Sequence, residues 1–230
     1  MAELEPLPLP DGVRERYVDN VKGLRVHVLE AGTPGNPALM LLHGFPELAY
    51  SWRKVMAPLA DAGYYVIAHD QRGYGRTTGW DAEYDTDLHP WTRLSAVRDA
   101  LGVLAGLGVE HVEAVIGHDF GSPVAAWGAL SRPDVFRSVV MMSASFGGAP
   151  RLPLAPPAEG PDIFDDLAKL PRPRKHYQRY YSTRPANKNM LHAAQGLPAF
   201  LRAYYHYKSA DWAGNKPHPL SAWQADVVAE

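Results

Sequence analysis

Apolar positions recur along the chain with two different periods. At residues 24–30, Leu24, Val26 and Val28 alternate with Arg25 and His27, the two-residue period of a half-buried strand. Residues 16–18 read as the strand before it, and residues 38–42 form a short, fully apolar run. Residues 65–69, 111–116 and 137–145 read as three further strands. Between these runs the period lengthens. Trp52, Val55, Met56 and Leu59 recur at steps of three and four, which predicts a helix over 51–62. Leu94, Val97, Leu101, Leu104 and Leu107 do the same over 91–107. Residues 122–130 read as a helix with Pro123 in its first turn, where a missing N–H is tolerated.

Strand–helix alternation with continuously apolar strands predicts an α/β fold whose mostly parallel sheet is covered on both faces. Ligands in such sheets lie beyond the carboxyl ends of the strands. The segments to read for chemistry are therefore those after Leu42, His69, Gly117 and Ser145. Beyond Gly148 the character changes. Residues 149–173 are rich in proline, and 176–182 and 199–208 are aromatic and helical in tendency, with no convincing strand. This divides the chain into a core over 1–148 and an inserted helical subdomain, or lid, over 149–230.

The 230 residues are 46% hydrophobic and 21% charged, an ordinary globular composition that excludes a disordered or fibrous chain. A net charge of −2 gives no argument for binding nucleic acid or an anionic membrane. No apolar run approaches the roughly 20 residues of a membrane span, and no targeting segment is visible. The chain is read as cytoplasmic. The absence of cysteine removes disulfides, thiolate metal sites and thiol nucleophiles together. No His-Glu-x-x-His or similar spacing occurs, so no metal site is expected. The oligomeric state is not legible.

Gly117-His118-Asp119-Phe120-Gly121 lies between a predicted strand and a predicted helix. It has the small-x-nucleophile-x-small form of a nucleophile elbow, in which a sharp turn presents the central side chain above the sheet. The central residue is Asp119, and a carboxylate can attack an electrophilic carbon to form an ester. Taken alone, the same Asp serves equally well as a plain helix N-cap. His43-Gly44-Phe45-Pro46 follows the apolar 38–42 run. The loop at that place supplies one N–H of an oxyanion hole in elbow folds, so the backbone N–H groups of Phe45 and Phe120 form the expected pair. His43 is expected to support this turn by hydrogen bonding. The side chain of His118 is expected to point away from Asp119. Asp70-Gln71-Arg72-Gly73-Tyr74-Gly75 reads as a structural loop in which Asp70 and Arg72 pair. A phosphate cradle is disfavoured because no Lys-Ser/Thr follows.

HGFPE at 43–47, SWR at 51–53, DQRGYG at 70–75 and GHDFG at 117–121 occur in this order. Together they resemble an α/β-hydrolase of the epoxide hydrolase type, and the resemblance covers essentially the whole chain. It implies a cis peptide before Pro46. It implies a small apolar epoxide as substrate, no cofactor, and two lid tyrosines that hydrogen-bond the epoxide oxygen. Residues 176–181 resemble the segment carrying the first, at Tyr177. Residues 201–204 resemble the segment carrying the second, at Tyr204, with Tyr205 as its neighbouring alternative. A neutral phenol suits the protonation of a ring-opened alkoxide. The chain departs from its relatives at Leu48-Ala49, often Ser-Trp, and at Phe120, more usually Trp.

In this fold the acid and the His that activates water follow the nucleophile on later loops. Neither is found before residue 230, and two further strand–helix units are expected beyond the lid. The unbroken Val139-Val140-Met141-Met142 run also reads as an interior strand buried on both faces, which anticipates more sheet beside it. The expectation is a chain without its C-terminal strands, able to form the ester but impaired in releasing it. Two alternatives stand beside this. A haloalkane or haloacetate dehalogenase also uses an elbow Asp, but Phe120 offers no side-chain N–H or charge to a halide. The other is a non-catalytic, truncated product of an epoxide hydrolase-like gene.

Overall fold

The computed structural model describes residues 4–149, 162–216, 219–222 and 224–228. The chain forms two compact units, Met1–Pro150 and Arg151–Glu230. In the first, six strands make one sheet: β1 (Val13–Val21), β2 (Leu24–Ala31), β3 (Ala38–Leu42), β4 (Tyr65–His69), β5 (Ala114–His118) and β6 (Val139–Met142). Their order is β1-β2-β4-β3-β5-β6. The β1/β2 and β2/β4 pairs are antiparallel, and β3/β4, β3/β5 and β5/β6 are parallel. Three helices cover the sheet: α1 (Arg53–Asp61), α2 (Arg93–Gly106) and α3 (Gly121–Ser131).

The apolar strands feed two cores at once. Met40, Leu42, Ile67 and Val115 pack with Val97, Val103 and Leu104 of α2 and with Val124 and Ala125 of α3. Their neighbours Leu41, Val66 and Ala68 turn to the other face, against Met56 of α1. Alternate side chains point to opposite faces, so a strand buried on both must be apolar throughout. Each fully buried aliphatic side chain contributes about 1.5–3 kcal/mol.

The observed elements differ from the sequence reading in several places. β1 runs well beyond 16–18, because Arg14, Glu15 and Arg16 pair in the ladder while their side chains stay exposed. The strand predicted at 111–116 starts at Ala114 and runs through His118, with Val112 making only an isolated bridge to Phe136. The helix expected from residue 51 opens as a 3₁₀ turn, Ala49–Trp52, and Val55 faces solvent while Met56 is buried. Trp91 belongs to a 3₁₀ turn, His89–Trp91, and α2 starts only after Thr92, whose side chain caps the N–H of Ser95 at 3.3 Å. Leu94 falls in that first turn and is exposed. The largest correction concerns β6. It lies at the sheet edge, and Val139, Val140, Met141 and Met142 are 38–46% exposed rather than buried on both faces.

The second unit is helical: α4 (Ile163–Lys169), α5 (Tyr177–Tyr181), α6 (Arg184–Leu191), α7 (Leu197–Tyr207) and α8 (Ala225–Val228). No strand occurs among its described residues. α5 and α7 match the predicted 176–182 and 199–208 closely. α4 and α6 were not anticipated. Asp162 starts α4 by accepting from the N–H of Phe164 at 2.9 Å, and Pro185 stands in the first turn of α6. Residues 150–161 of the proline-rich stretch and His218 lie outside the described residues.

Candidate active site

β3 and β5 are neighbouring parallel strands, so the loops after Leu42 and His118 emerge side by side. At the end of β5 the chain turns through Asp119 with φ +49°, a left-handed conformation that costs an ordinary residue energy. The turn is held at both ends. The N–H of Asp119 donates to the Met142 carbonyl at 3.0 Å, and the N–H of Ser122 donates to the Asp119 carbonyl at 3.0 Å. The buried Ser122 hydroxyl donates to the carbonyl of Ala144 at 3.0 Å.

Glycine is required on either side. A Cβ at Gly117 would stand 2.2 Å from the Gly121 oxygen, and one at Gly121 would stand 2.2 Å from the Leu42 oxygen. At Gly44 a Cβ would meet the Asp119 Cβ at 2.3 Å. These three close approaches bring the Asp119 carboxylate against the 43–46 turn. Its Oδ1 accepts the Phe45 N–H at 2.8 Å. Phe120 is the N-cap of α3 and makes no side-chain cap bond; its ring is exposed. Asp119 therefore stands at the start of α3 without serving as its cap. The Phe45–Pro46 peptide is cis.

His43 is fully buried and both ring nitrogens are engaged. Nδ1 lies 2.9 Å from the Gly44 carbonyl, and Nε2 accepts the Gln71 N–H at 3.0 Å. Burial lowers the pKa of this imidazole. The ring thus ties the 43–46 turn to the loop after β4. His118 turns its Nδ1 to Glu47 Oε2 at 2.7 Å, and the same carboxylate oxygen accepts the Gly44 N–H at 3.3 Å.

The predicted Asp70–Arg72 pair is not formed. Arg72 makes two hydrogen bonds of 2.9 Å to Asp99 of α2. Asp70 instead faces inward, to His27 Nδ1 at 2.8 Å and to the N–H groups of Ala49 and Arg76 at 2.9 Å. Burial works to raise its pKa, but these hydrogen bonds outweigh it and hold the carboxyl below its ordinary value. The reason is reach: alternate residues of the loop point opposite ways, and α2 offers Arg72 a carboxylate that spacing alone does not reveal.

Beside the elbow lies a cavity of about 460 Å³, walled by Phe45, Tyr74, Trp80, Trp91 and Phe120, with Arg72 and Asp99 at one side. Tyr74 stacks edge-on against His43 at 4.9 Å. Burial, with the Asp119 charge adding to it, pushes its pKa up to about 12, so its phenol stays protonated. The sequence reading passed over Tyr74 and Glu47, although both stand inside motifs it quoted. Their neighbours were legible; their partners were not.

Tyr177 and Tyr204 belong to the helical unit, on α5 and α7. Tyr181 stands between them, with ring centroids 5.9 Å from Tyr177 and 6.5 Å from Tyr204. Tyr205 is exposed, with its ring centroid 6.0 Å from that of Tyr204. No group of His, Asp or Glu among the described residues could hold a metal ion. No helix there is long and apolar enough to cross a membrane.

A profile of the family described as alpha/beta hydrolase fold matches residues 37–223. Over 148 residues the chain is 45% identical to epoxide hydrolase A of Mycobacterium tuberculosis, covering 63% of this chain and 42% of that protein. It is 40% identical over 148 residues to epoxide hydrolase 3 of Siraitia grosvenorii, covering 64% and 43%. Among solved structures, an epoxide hydrolase from an endophytic Streptomyces superposes with a TM-score of 0.67 at 35% identity, over 86% of this chain and 54% of that one. The chain spans less than half the length of these two curated relatives.

Proposed function

The chain belongs to the α/β-hydrolase fold family, and from that premise we propose that it opens small apolar epoxides through an ester on Asp119. One observation carries the reading: the elbow presents a carboxylate, with one oxygen already held by a backbone N–H. Holding Oδ1 at Phe45 leaves Oδ2 as the attacking atom. Oδ2 bonds to an epoxide carbon as the ring C–O bond breaks. The freed oxygen takes a proton from Tyr177 or Tyr204, residues 149–230 acting as the lid. The products are an Asp119 alkyl ester and a new hydroxyl. The aromatic cavity beside Phe45 and Phe120 suits the apolar part of the substrate.

Release requires water to attack the Asp119 carbonyl carbon. The oxyanion so formed faces the N–H groups of Phe45 and Phe120, and collapse yields the diol and the free carboxylate. That water needs a base. His43 is committed through both ring nitrogens, and His118 turns its Nδ1 to Glu47 rather than to Asp119. We therefore read this chain as forming the ester faster than it releases it; loss of a general base commonly costs about 10²–10⁴-fold. A dehalogenase is the weaker reading, because the residue after the nucleophile offers a halide no side-chain donor.

Intact-mass spectrometry after incubation with styrene oxide tests this. The expected result is a persistent single adduct, mapped by peptide digestion to Asp119 and absent from Asp119→Ala. A folded chain that gains no mass would overturn it.

A further inference from the structure

The helical unit contains a cation in an unusual setting. Lys208 closes α7 as its C-cap, and its Nζ donates to the Tyr204 hydroxyl oxygen at 2.8 Å. The same ammonium lies 4.5 Å from the ring centroid of Tyr204 and 4.5 Å from that of Tyr177 on α5. A contact between residues four apart on one helix is common. The contact with Tyr177 is different, because it joins two helices at one charge. No carboxylate among the described residues is within ion-pair distance of Lys208, Asp211 in the next turn included.

The end of the helix is fixed around it. The Lys208 N–H donates to Tyr205, and Asn215 Nδ2 donates to the carbonyls of Lys208 and Ser209 at 3.2 and 2.9 Å. The rings of Tyr207 and Trp212 stack at 4.2 Å and close the same turn. The titratable groups facing the ammonium are thus Tyr204 on its own helix and Tyr177 and Tyr181 on α5. α6, packed against both helices, sends Asn189 to the Tyr180 hydroxyl at 2.8 Å and no ion-pairing group to Lys208.

An ammonium has donors only. Its bond to Tyr204 occupies a lone pair of the phenol oxygen and leaves the phenol's own proton for another acceptor. It also favours the anion that Tyr204 becomes when that proton leaves. Tyr177 receives the cation on its ring face and Tyr204 at its hydroxyl, so the two phenols are not equivalent. Tyr181 behaves as the companion of Tyr204. Burial, then its hydrogen bond with Tyr204, pushes its pKa up to about 12.

We propose that Lys208 is a positioning residue that makes Tyr204 the principal proton donor of the lid. This rests on the epoxide reading above. When Asp119 forms its bond to carbon and the ring C–O bond breaks, the Tyr204 proton passes to the epoxide oxygen. The phenolate left behind is paired with the Lys208 ammonium until solvent returns a proton. Tyr177 serves to hold both the oxygen and the cation.

The test has two arms. In the first, the tyrosinate absorbance step of Tyr204 is obtained as the difference between the chain and Tyr204→Phe during alkaline titration. Lys208→Met is expected to move that step to higher pH, and Lys208→Arg to leave it near its place. In the second, the rate of Asp119 ester formation from styrene oxide is followed by mass spectrometry across neutral to alkaline pH. Lys208→Met is expected to slow ester formation about tenfold at neutral pH and to move its alkaline limb upward. Lys208→Arg restores both, and adding Lys208→Met to Tyr204→Phe costs nothing more. Lys208 is exposed at a helix end, so these variants keep the fold, which circular dichroism verifies. An unmoved absorbance step overturns the proposal, as does an unchanged rate with an unchanged limb. A moved step in a chain that forms no ester upholds the Lys208–Tyr204 coupling and overturns the epoxide reading instead.

Discussion

At Gly121 an added Cβ would stand 2.2 Å from the Leu42 carbonyl and 2.7 Å from that of His43, while at Gly147 it would meet nothing within 4 Å. The contrast makes a controlled test at the scale of one methyl group. Backbone atoms at the end of β3 cannot move aside as a side-chain tip can, so Gly121→Ala must displace the elbow. It is expected to cost about 1–3 kcal/mol in urea unfolding and to abolish ester formation at Asp119. Gly147→Ala is expected to do neither. Equal effects at both sites would mean that the close approach does not matter. The elbow was readable from sequence because its constraint is local: a strand, a turn and a helix lie within about a dozen residues. The His118–Glu47 contact was not, because it joins residues 71 positions apart and depends on the β3–β5 register.

Among the elements, the strands separate what a sequence shows from what it withholds. β3 and β4 were placed to the residue, because a run apolar on both faces has one physical explanation. β6 carries the same signal, yet it forms the sheet edge with its four apolar side chains 38–46% exposed. Burial on both faces is a property of neighbours, and composition states only that they are wanted. The helical unit shows the reverse failure. α4 and α6 are short, seven and eight residues, and their starts depend on an Asp cap and a first-turn Pro that are common elsewhere. The exposed β6 edge leads to a prediction. Unpaired N–H and C=O groups beside apolar side chains invite another strand. Val140→Lys and Met142→Lys are expected to lower concentration-dependent light scattering markedly while changing the melting temperature little, since neither side chain is buried. Scattering that persists unchanged would locate the sticky surface elsewhere.

The whole first unit rests on a set of buried polar groups whose protonation differs between folded and unfolded chains, and together they set its response to acid. His69 is wholly buried, and burial lowers its pKa to about 3, with the repulsion that protons on it and on nearby His43 would feel adding to the effect; burial lowers that of His43 as well. Both rings are neutral in the folded protein and take up protons in the unfolded chain below about pH 6.5. Between that pH and the lower folded value the unfolded state binds more protons, so stability falls as pH falls. Asp70 acts with the same sign at more acid pH. Its folded pKa is depressed, so its contribution is present above the ordinary carboxyl range and lost as pH drops through the folded value. The two kinds of group occupy different windows, and this separates them by experiment. The melting temperature is expected to be flat between about pH 7 and 9 and to decline from about pH 6.5 downward, before any carboxylate titrates. His69→Phe keeps a ring of similar size and removes one proton-binding site that has no hydrogen-bond partner at Nδ1. It should therefore flatten the decline between about pH 6.5 and 4 and leave the steeper loss below it, where Asp70 gives up its bonds to His27, Ala49 and Arg76. A slope unchanged by that substitution would assign the acid sensitivity to groups other than the buried imidazole.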